Sequence, residues 1–196
     1  MARWEPDARG RLTQAALELY SERGFDETTV AEIAERAGLT ERTFFRHFAD
    51  KREAMFSGEF RDLLMKTLVN APPSTPPLEA VVAAFEATGE VLERRGDRTR
   101  KRQALIAANP ALKERELMKF ATLATDMTEA LAGRGVDPTT ARLAVEAGMA
   151  IYRTAFDRWI TKGNRRDFSE LIRESLDELK AVTAGAGQTR RARKRP

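Results

Sequence analysis

Residues 28–53 read TTVAEIAERAGLTERTFFRHFADKRE, and their punctuation predicts two short helices around a glycine turn, then the start of a third. Thr29 with Glu32 three residues on is a capping-box pair, in which each side chain takes a backbone N–H at the helix start. Val30, Ile33, Ala34 and Ala37 recur at helical spacing, and Gly38 supplies the left-handed conformation that closes a helix into a tight turn. Leu39 is placed to plug the corner. Thr40 then caps a second helix whose Phe44 and Phe48 face inward, while Arg42, Thr43, Arg46 and His47 face elsewhere. Two helices joined by about three or four residues that include a glycine fit a helix-turn-helix, whose second helix enters the DNA major groove. The same spacing also fits an ordinary helical hairpin in an all-α domain.

Upstream, LTQAALELYSERGFDETTV sets Leu12, Ala16, Leu19 and Tyr20 on one helix face and Phe25 after Gly24. IAERAGLT and TFFRHFADKRE follow in order. From about Arg11 to Met55 these residues resemble the N-terminal domain of the TetR family of bacterial transcriptional regulators, whereas beyond residue 60 the likeness is one of helical layout. The resemblance implies that Thr28 or Thr29 meets a phosphate at the start of the second helix, and that Lys51 does so at the next. Thr40, Thr43 and His47 match positions that approach the DNA backbone, whereas Glu41 and Arg42 take exposed early positions from which base edges are reached. Arg42 is the preferred base reader, because a guanidinium takes O6 and N7 of guanine together, worth roughly 1 to 3 kcal/mol of discrimination. Glu41 either accepts from a cytosine amine or is a solvated charge at a helix start. Phe45 stands where a tyrosine commonly gives its hydroxyl to a phosphate; without that hydroxyl the ring touches a thymine methyl or sugar, or packs beside Phe44 and Phe48.

Charge alone does not carry the DNA reading. The pI of about 9.6 owes its height to the tail, since residues 185–196 hold Arg190, Arg191, Arg193, Lys194 and Arg195 and no acid, +5 against a chain total of +4. Residues 1–56 hold nine Lys or Arg and eleven Asp or Glu, a net of 9 − 11 = −2, so a positive reading surface has to come from arrangement. The tail's composition cannot build a core and predicts disorder; it adds salt-sensitive attraction to phosphates or is simply a solubilising terminus. His47 is the single histidine and there is no cysteine, which excludes thiol switches, disulfides and thiolate metal sites and leaves no support for a metal, a cofactor or histidine-based catalysis. The start lacks the apolar run of a signal peptide and no stretch approaches a membrane span, so a cytoplasmic protein is expected.

The expected architecture is all-α with about nine helices: a helix-turn-helix domain over 1–50, a helical ligand-binding and dimerisation domain over 51–184, and the basic tail over 185–196. Beyond the motif, helices are expected from Asp50 to Val69 with Phe56, Phe60, Leu63, Leu64 and Leu68 inward, from Pro76 to Arg94 under a Ser74 or Thr75 cap, and from Gly96 to Asn109. Three more run from Pro110 to Gly133, from Pro138 to Lys162 and from an Asp167–Glu170 capping pair to Val182. The 138–162 helix carries a large stripe (Val145, Met149, Tyr152, Phe156, Ile160) beside a mostly small one (Ala141, Ala144, Gly148, Ile151, Ala155), so it is sandwiched within a domain or against a partner subunit. The family resemblance implies a homodimer through residues 138–182 and a small-molecule pocket in the C-terminal domain, for which Phe85, Leu105, Met118, Met127, Met149, Tyr152, Phe156 and Trp159 are candidates or else ordinary core. The resulting expectation is a dimeric regulator reading a palindromic operator in double-stranded DNA, most simply a repressor released by an apolar or amphipathic effector. Its rivals are a helical protein-interaction adaptor with a vestigial helix-turn-helix and, with no convergent acid, base and nucleophile to support it, an enzyme.

Overall fold

Side-chain caps set the helix starts in the first third of the chain. In the computed structural model, which describes residues 7–56 and 58–185, α1 (Ala8–Arg23) starts at Asp7, whose carboxylate accepts the Gly10 N–H at 2.9 Å, and α2 (Val30–Arg36) starts at Thr29 with both halves of the capping box to Glu32 in place. Gly38 has φ +65°, and beside it the Leu39 N–H returns 2.8 Å to the Ala34 carbonyl, which turns the chain sharply into α3 (Glu41–His47), capped by Thr40. All described residues fall into ten α-helices, one 3-10 turn and connecting loops, with no strand among them, so the fold is all-α.

Downstream the expected helices are partly redrawn. The helix expected from Asp50 is instead a 3-10 turn over Glu53–Met55, an extended Phe56, and only then α4 (Glu59–Val69). The break has a visible cause: the Arg102 Nε–H takes the Met55 carbonyl at 2.8 Å, the group a continuous helix would use, and the Arg102 guanidinium lies 4.9 Å over a buried Phe56 ring. Phe56 is therefore an anchor before the helix and not part of its inner face. The expected 76–94 helix divides into α5 (Pro77–Ala87) and α6 (Gly89–Arg94), because the buried Thr88 hydroxyl and N–H both turn back to the Phe85 carbonyl. With this split the described residues form ten helices, in line with the about nine expected. Neither Ser74 nor Thr75 caps α5, whose N-cap is Pro76. After α7 (Gly96–Ala108) and α8 (Pro110–Gly133), α9 (Pro138–Ile160) starts at an Asp137 cap. Asp167 precedes α10 (Phe168–Thr183) without a side-chain cap bond; the Phe168 N–H is instead accepted by Glu93 Oε1 at 2.9 Å.

Two compact units result, one of the residues through Glu59 with Arg95–Ala121, the other of Phe60–Arg94 with the residues from Thr122 onward. Segment 95–121, grouped by sequence order with the 51–184 domain, thus packs with the helix-turn-helix: Ile106 and Leu112 join Leu12, Leu19, Tyr20, Ile33, Phe44 and Phe48 in one core. Glu53 fixes the same segment, bonding Arg115 at 2.6 Å and pairing with Lys119.

In the second unit α9 packs against α5 and α10. Gly148 lets α5 approach so closely that an added Cβ would stand 2.2 Å from Val81 Cγ1. The small stripe of α9 is thus covered within the chain. Its large stripe builds an aromatic cluster, with Tyr152 4.7 Å from Phe85 and 5.6 Å from Phe156 in stacked pairs and Phe168 edge-on at 5.8 Å. Residues 186–196, which hold the basic run of the tail, lie outside the described residues.

Candidate nucleic-acid interface

Helix α3 presents its two faces unequally. Phe44 and Phe48 are buried in the core of the first unit, and their positions leave Glu41, Arg42, Phe45 and Arg46 on the opposite, exposed side. Phe45 is 55% exposed, with its ring held edge-on to Phe44 at 5.5 Å, so it lies at the edge of the core with a face turned to solvent. Thr40 and Thr43 are joined by the cap, the Thr43 N–H donating to Thr40 Oγ1 at 3.2 Å.

The positive surface comes from sorting. Arg23 pairs with Glu32, Arg36 with Glu22 and Glu18, and Arg52 with Asp50. The Arg42 and Arg46 side chains have no hydrogen bond or ion pair among the described residues, and Arg9 of α1 lies over the Phe48 ring at 5.3 Å. Cations near acids are neutralised, and the two arginine side chains of α3 itself are left without polar partners among the described residues. Segment 95–121 adds to this balance: eight Lys or Arg against three Asp or Glu give 8 − 3 = +5, against 9 − 12 = −3 for residues 1–59, so the unit as a whole carries +2. His47 is half-buried; burial first, then Arg46 and Arg9, hold its pKa below the ordinary value, and its shielded Nε2 has no partner among the described residues.

Two expected phosphate contacts are placed differently. Thr28 is 1% exposed and its hydroxyl donates to the Gly24 carbonyl at 2.8 Å, which leaves Thr29, exposed at the start of α2, as the available threonine of the pair. Lys51 is turned inward, its ammonium on the carbonyls of Phe25, Asp26 and Thr28 at 2.9, 3.1 and 3.0 Å. Arg46 and Arg9 were not singled out as contacts in the sequence. Arg46 carried a usable signal, one turn after Arg42 on the same face; Arg9 carried none, because its place beside α3 depends on the packing of α1.

Of the eight candidate pocket residues, Phe85, Met127, Met149, Tyr152, Phe156 and Trp159 are all buried within the second unit. Leu105 packs against the core of the first unit, and Met118, also in the first unit, is 54% exposed. These two belong to α7 and the first part of α8, in the first unit. Among the described residues there is no group of His, Asp and Glu placed to hold a metal, and no helix is long and apolar enough to cross a membrane.

Known proteins are similar to this chain in sequence and fold. The family model described as bacterial regulatory proteins, tetR family, matches residues 12–56, and the model described as MftR C-terminal domain matches residues 75–184, more than half of the chain. MftR of Mycobacterium tuberculosis is 28% identical over 185 residues, 91% of this chain and 90% of that protein. The HTH-type transcriptional regulator TcmR of Streptomyces glaucescens is 38% identical over 81 residues, 40% of this chain, which spans only 36% of TcmR. Among solved structures, the TetR-family repressor FadR of Thermus thermophilus, in complex with lauroyl-CoA, superposes with a TM-score of 0.51 at 22% identity, over 88% of this chain and 93% of that one. With both of its helical regions matched by models of regulators and its reading helix built as described, the chain belongs to the TetR family of bacterial regulatory proteins.

Proposed function

We propose that the protein is a transcriptional repressor that binds a palindromic operator as a homodimer in the cytoplasm and is released by a small molecule. The observation that carries the reading is the exposed face of α3, where Arg42, Phe45 and Arg46 are presented without intramolecular polar partners among the described residues, in a unit whose other motif arginines are paired. Arg42 reads a guanine, Phe45 lies against an apolar base edge or sugar, and Thr29, Thr40, Thr43, His47, Arg46 and Arg9 border the phosphates. Glu41 is a solvated charge at the helix start.

The dimer reading is supported by what α9 leaves uncovered. With its small stripe against α5, the outward positions Leu143, Ala147, Ala150 and Thr154 run along one face, Leu143 being 66% exposed, and α10 offers Leu176, Leu179 and an exposed Val182. Two copies joined there set two α3 helices on successive major grooves. The buried aromatic and methionine cluster of the second unit is where an apolar or amphipathic effector enters, and it releases DNA only by binding the DNA-incompetent arrangement more tightly.

Selection of bound fragments from random DNA by the full chain tests the reading. The expected outcome is an enriched inverted repeat, lost on Arg42→Ala while the mass in solution stays twice 22.0 kDa. No enriched repeat for the wild type, or one retained by Arg42→Ala, overturns it in favour of the adaptor.

A further inference from the structure

The lysine after α3 makes three hydrogen bonds and a ring contact, and all of them lie within the chain. An ammonium has three N–H donors, and all three of Lys51's find carbonyl acceptors, those of Phe25, Asp26 and Thr28. Its charge also sits 4.4 Å over the centre of the Phe25 ring, a cation–π contact with a ring only 8% exposed. Lys51's own carbonyl accepts the Tyr20 hydroxyl at 2.6 Å. Tyr20 is 1% exposed, and burial, with the Asp50 charge, pushes its phenol well above the ordinary range, so it is a fixed donor. Tyr20 in turn meets the Phe25 ring edge-on at 5.2 Å.

These contacts join places far apart along the chain. Residues 25–28 lead into α2, Lys51 follows α3, and Tyr20 is on α1. One residue therefore ties the entry of the helix-turn-helix to its exit through its side chain, and to the first helix through its carbonyl. We infer that Lys51 is a positioning residue, a clasp that fixes the angle at which α3 is presented to DNA, and not a phosphate contact. Moving the ammonium to a phosphate would take this donor from the carbonyls of Phe25, Asp26 and Thr28 and loosen the α1–α2 connection, which would keep only local bonds such as those from Thr28 to Gly24 and Phe25.

The inference rests on the DNA-binding reading, and the test separates the two. Operator and non-operator DNA are titrated by fluorescence anisotropy across a range of salt with the wild type and with Lys51→Met, which keeps the apolar stem but loses every donor. A clasp predicts that operator affinity falls about tenfold or more, that the ratio of operator to non-operator affinity falls with it, and that the salt slope is unchanged. A phosphate contact predicts weakening on both DNAs alike and a slope reduced by about 0.9 per head, about 1.8 per dimer; that result overturns the inference. So does a variant that melts earlier but, when folded, binds as the wild type does. Should Lys51→Met not fold, Lys51→Arg is read instead: it keeps the charge a phosphate would use, but its planar guanidinium cannot repeat the three bonds of the ammonium to the Phe25, Asp26 and Thr28 carbonyls. An operator ratio lowered several-fold at constant slope supports the clasp, and an unchanged ratio overturns it. A wild type that enriches no operator overturns the DNA-binding reading, and the inference falls with it.

Discussion

Replacing Gly148 with alanine tests how α9 is covered. The new methyl would lie 2.2 Å from Val81 Cγ1 and 3.3 Å from Val81 Cβ, with Phe85 Cε2 at 3.8 Å behind. An ordinary carbon contact is about 3.5 to 4.0 Å, so the neighbours must give by about 1.3 Å. Val81 is β-branched, buried and on a helix, and it has no free rotamer into which to retreat. The strain falls on the approach of α5 to α9. Overpacking of this kind costs roughly 1 to 3 kcal/mol, against which alanine returns about 0.8 to 1.0 kcal/mol of helix propensity. We expect a net loss of up to about 2 kcal/mol, read as a lower urea midpoint at unchanged slope and a melting temperature lowered by up to roughly 8 °C, all at fixed protein concentration. The decisive arm is a double-mutant cycle. Val81→Ala alone costs about 2 kcal/mol from two lost methyls and the cavity left behind. In the double variant the methyl introduced by Gly148→Ala occupies that space, so the two changes together should cost at least about 1 kcal/mol less than their sum. Gly148→Ala more stable than the wild type, or costs additive within about 0.5 kcal/mol, would refute the packing and return the small stripe to the subunit interface.

Three further outcomes follow from the charged groups. His47 is held below its ordinary 6.5, so the unfolded chain takes up a proton first as the pH falls below that value, and His47→Gln should flatten the resulting loss of stability in urea titrations below about pH 6.5. A phosphate beside the same imidazole reverses its preference, so operator affinity should rise from about pH 7.5 to about 6, by less than about tenfold per pH unit per head, and calorimetry should record proton uptake that His47→Gln abolishes. Burial raises the Glu53 carboxyl, but Lys119 and Arg115 outweigh it and hold it below 4.5; its contribution is full above that value and lost as the pH falls through the lowered one. Glu53→Gln should therefore cost about 1 to 2 kcal/mol at neutral pH, a figure between those of exposed and buried pairs, with the difference from wild type vanishing in acid.

What could be read from the sequence was local. Thr29 with Glu32, Gly38, Thr40 and the Phe44/Phe48 pair act within four residues of themselves, and each does in the structure what its spacing required. The reading face followed, because its residues are those the buried phenylalanines leave outside. The misread features depend on partners distant in the chain. Lys51 could be matched to a phosphate only through the family resemblance, because its acceptors, 23 to 26 residues away, are backbone carbonyls that no composition reveals. The helix expected through residues 50–69 broke because Arg102, 47 residues on, takes the Met55 carbonyl. Thr88 was an exception of another kind, a local back-bond whose effect needed the burial of its surroundings to decide. The charge of the head was legible only in part, since its largest positive contribution arrives with a segment that sequence order assigns elsewhere.

That segment bears on engineering. Regulators of this kind invite chimeras in which the DNA-reading end of one is joined to the sensing end of another, and a cut after the motif, near residue 59, looks natural in the sequence. Here such a transplant would leave behind Ile106 and Leu112, which complete the core beneath α1 and α3, together with the arginines and lysine that hold Glu53 and Met55. The portable part of this regulator is discontinuous, and a working graft has to carry residues 95–121 along with the first fifty-nine.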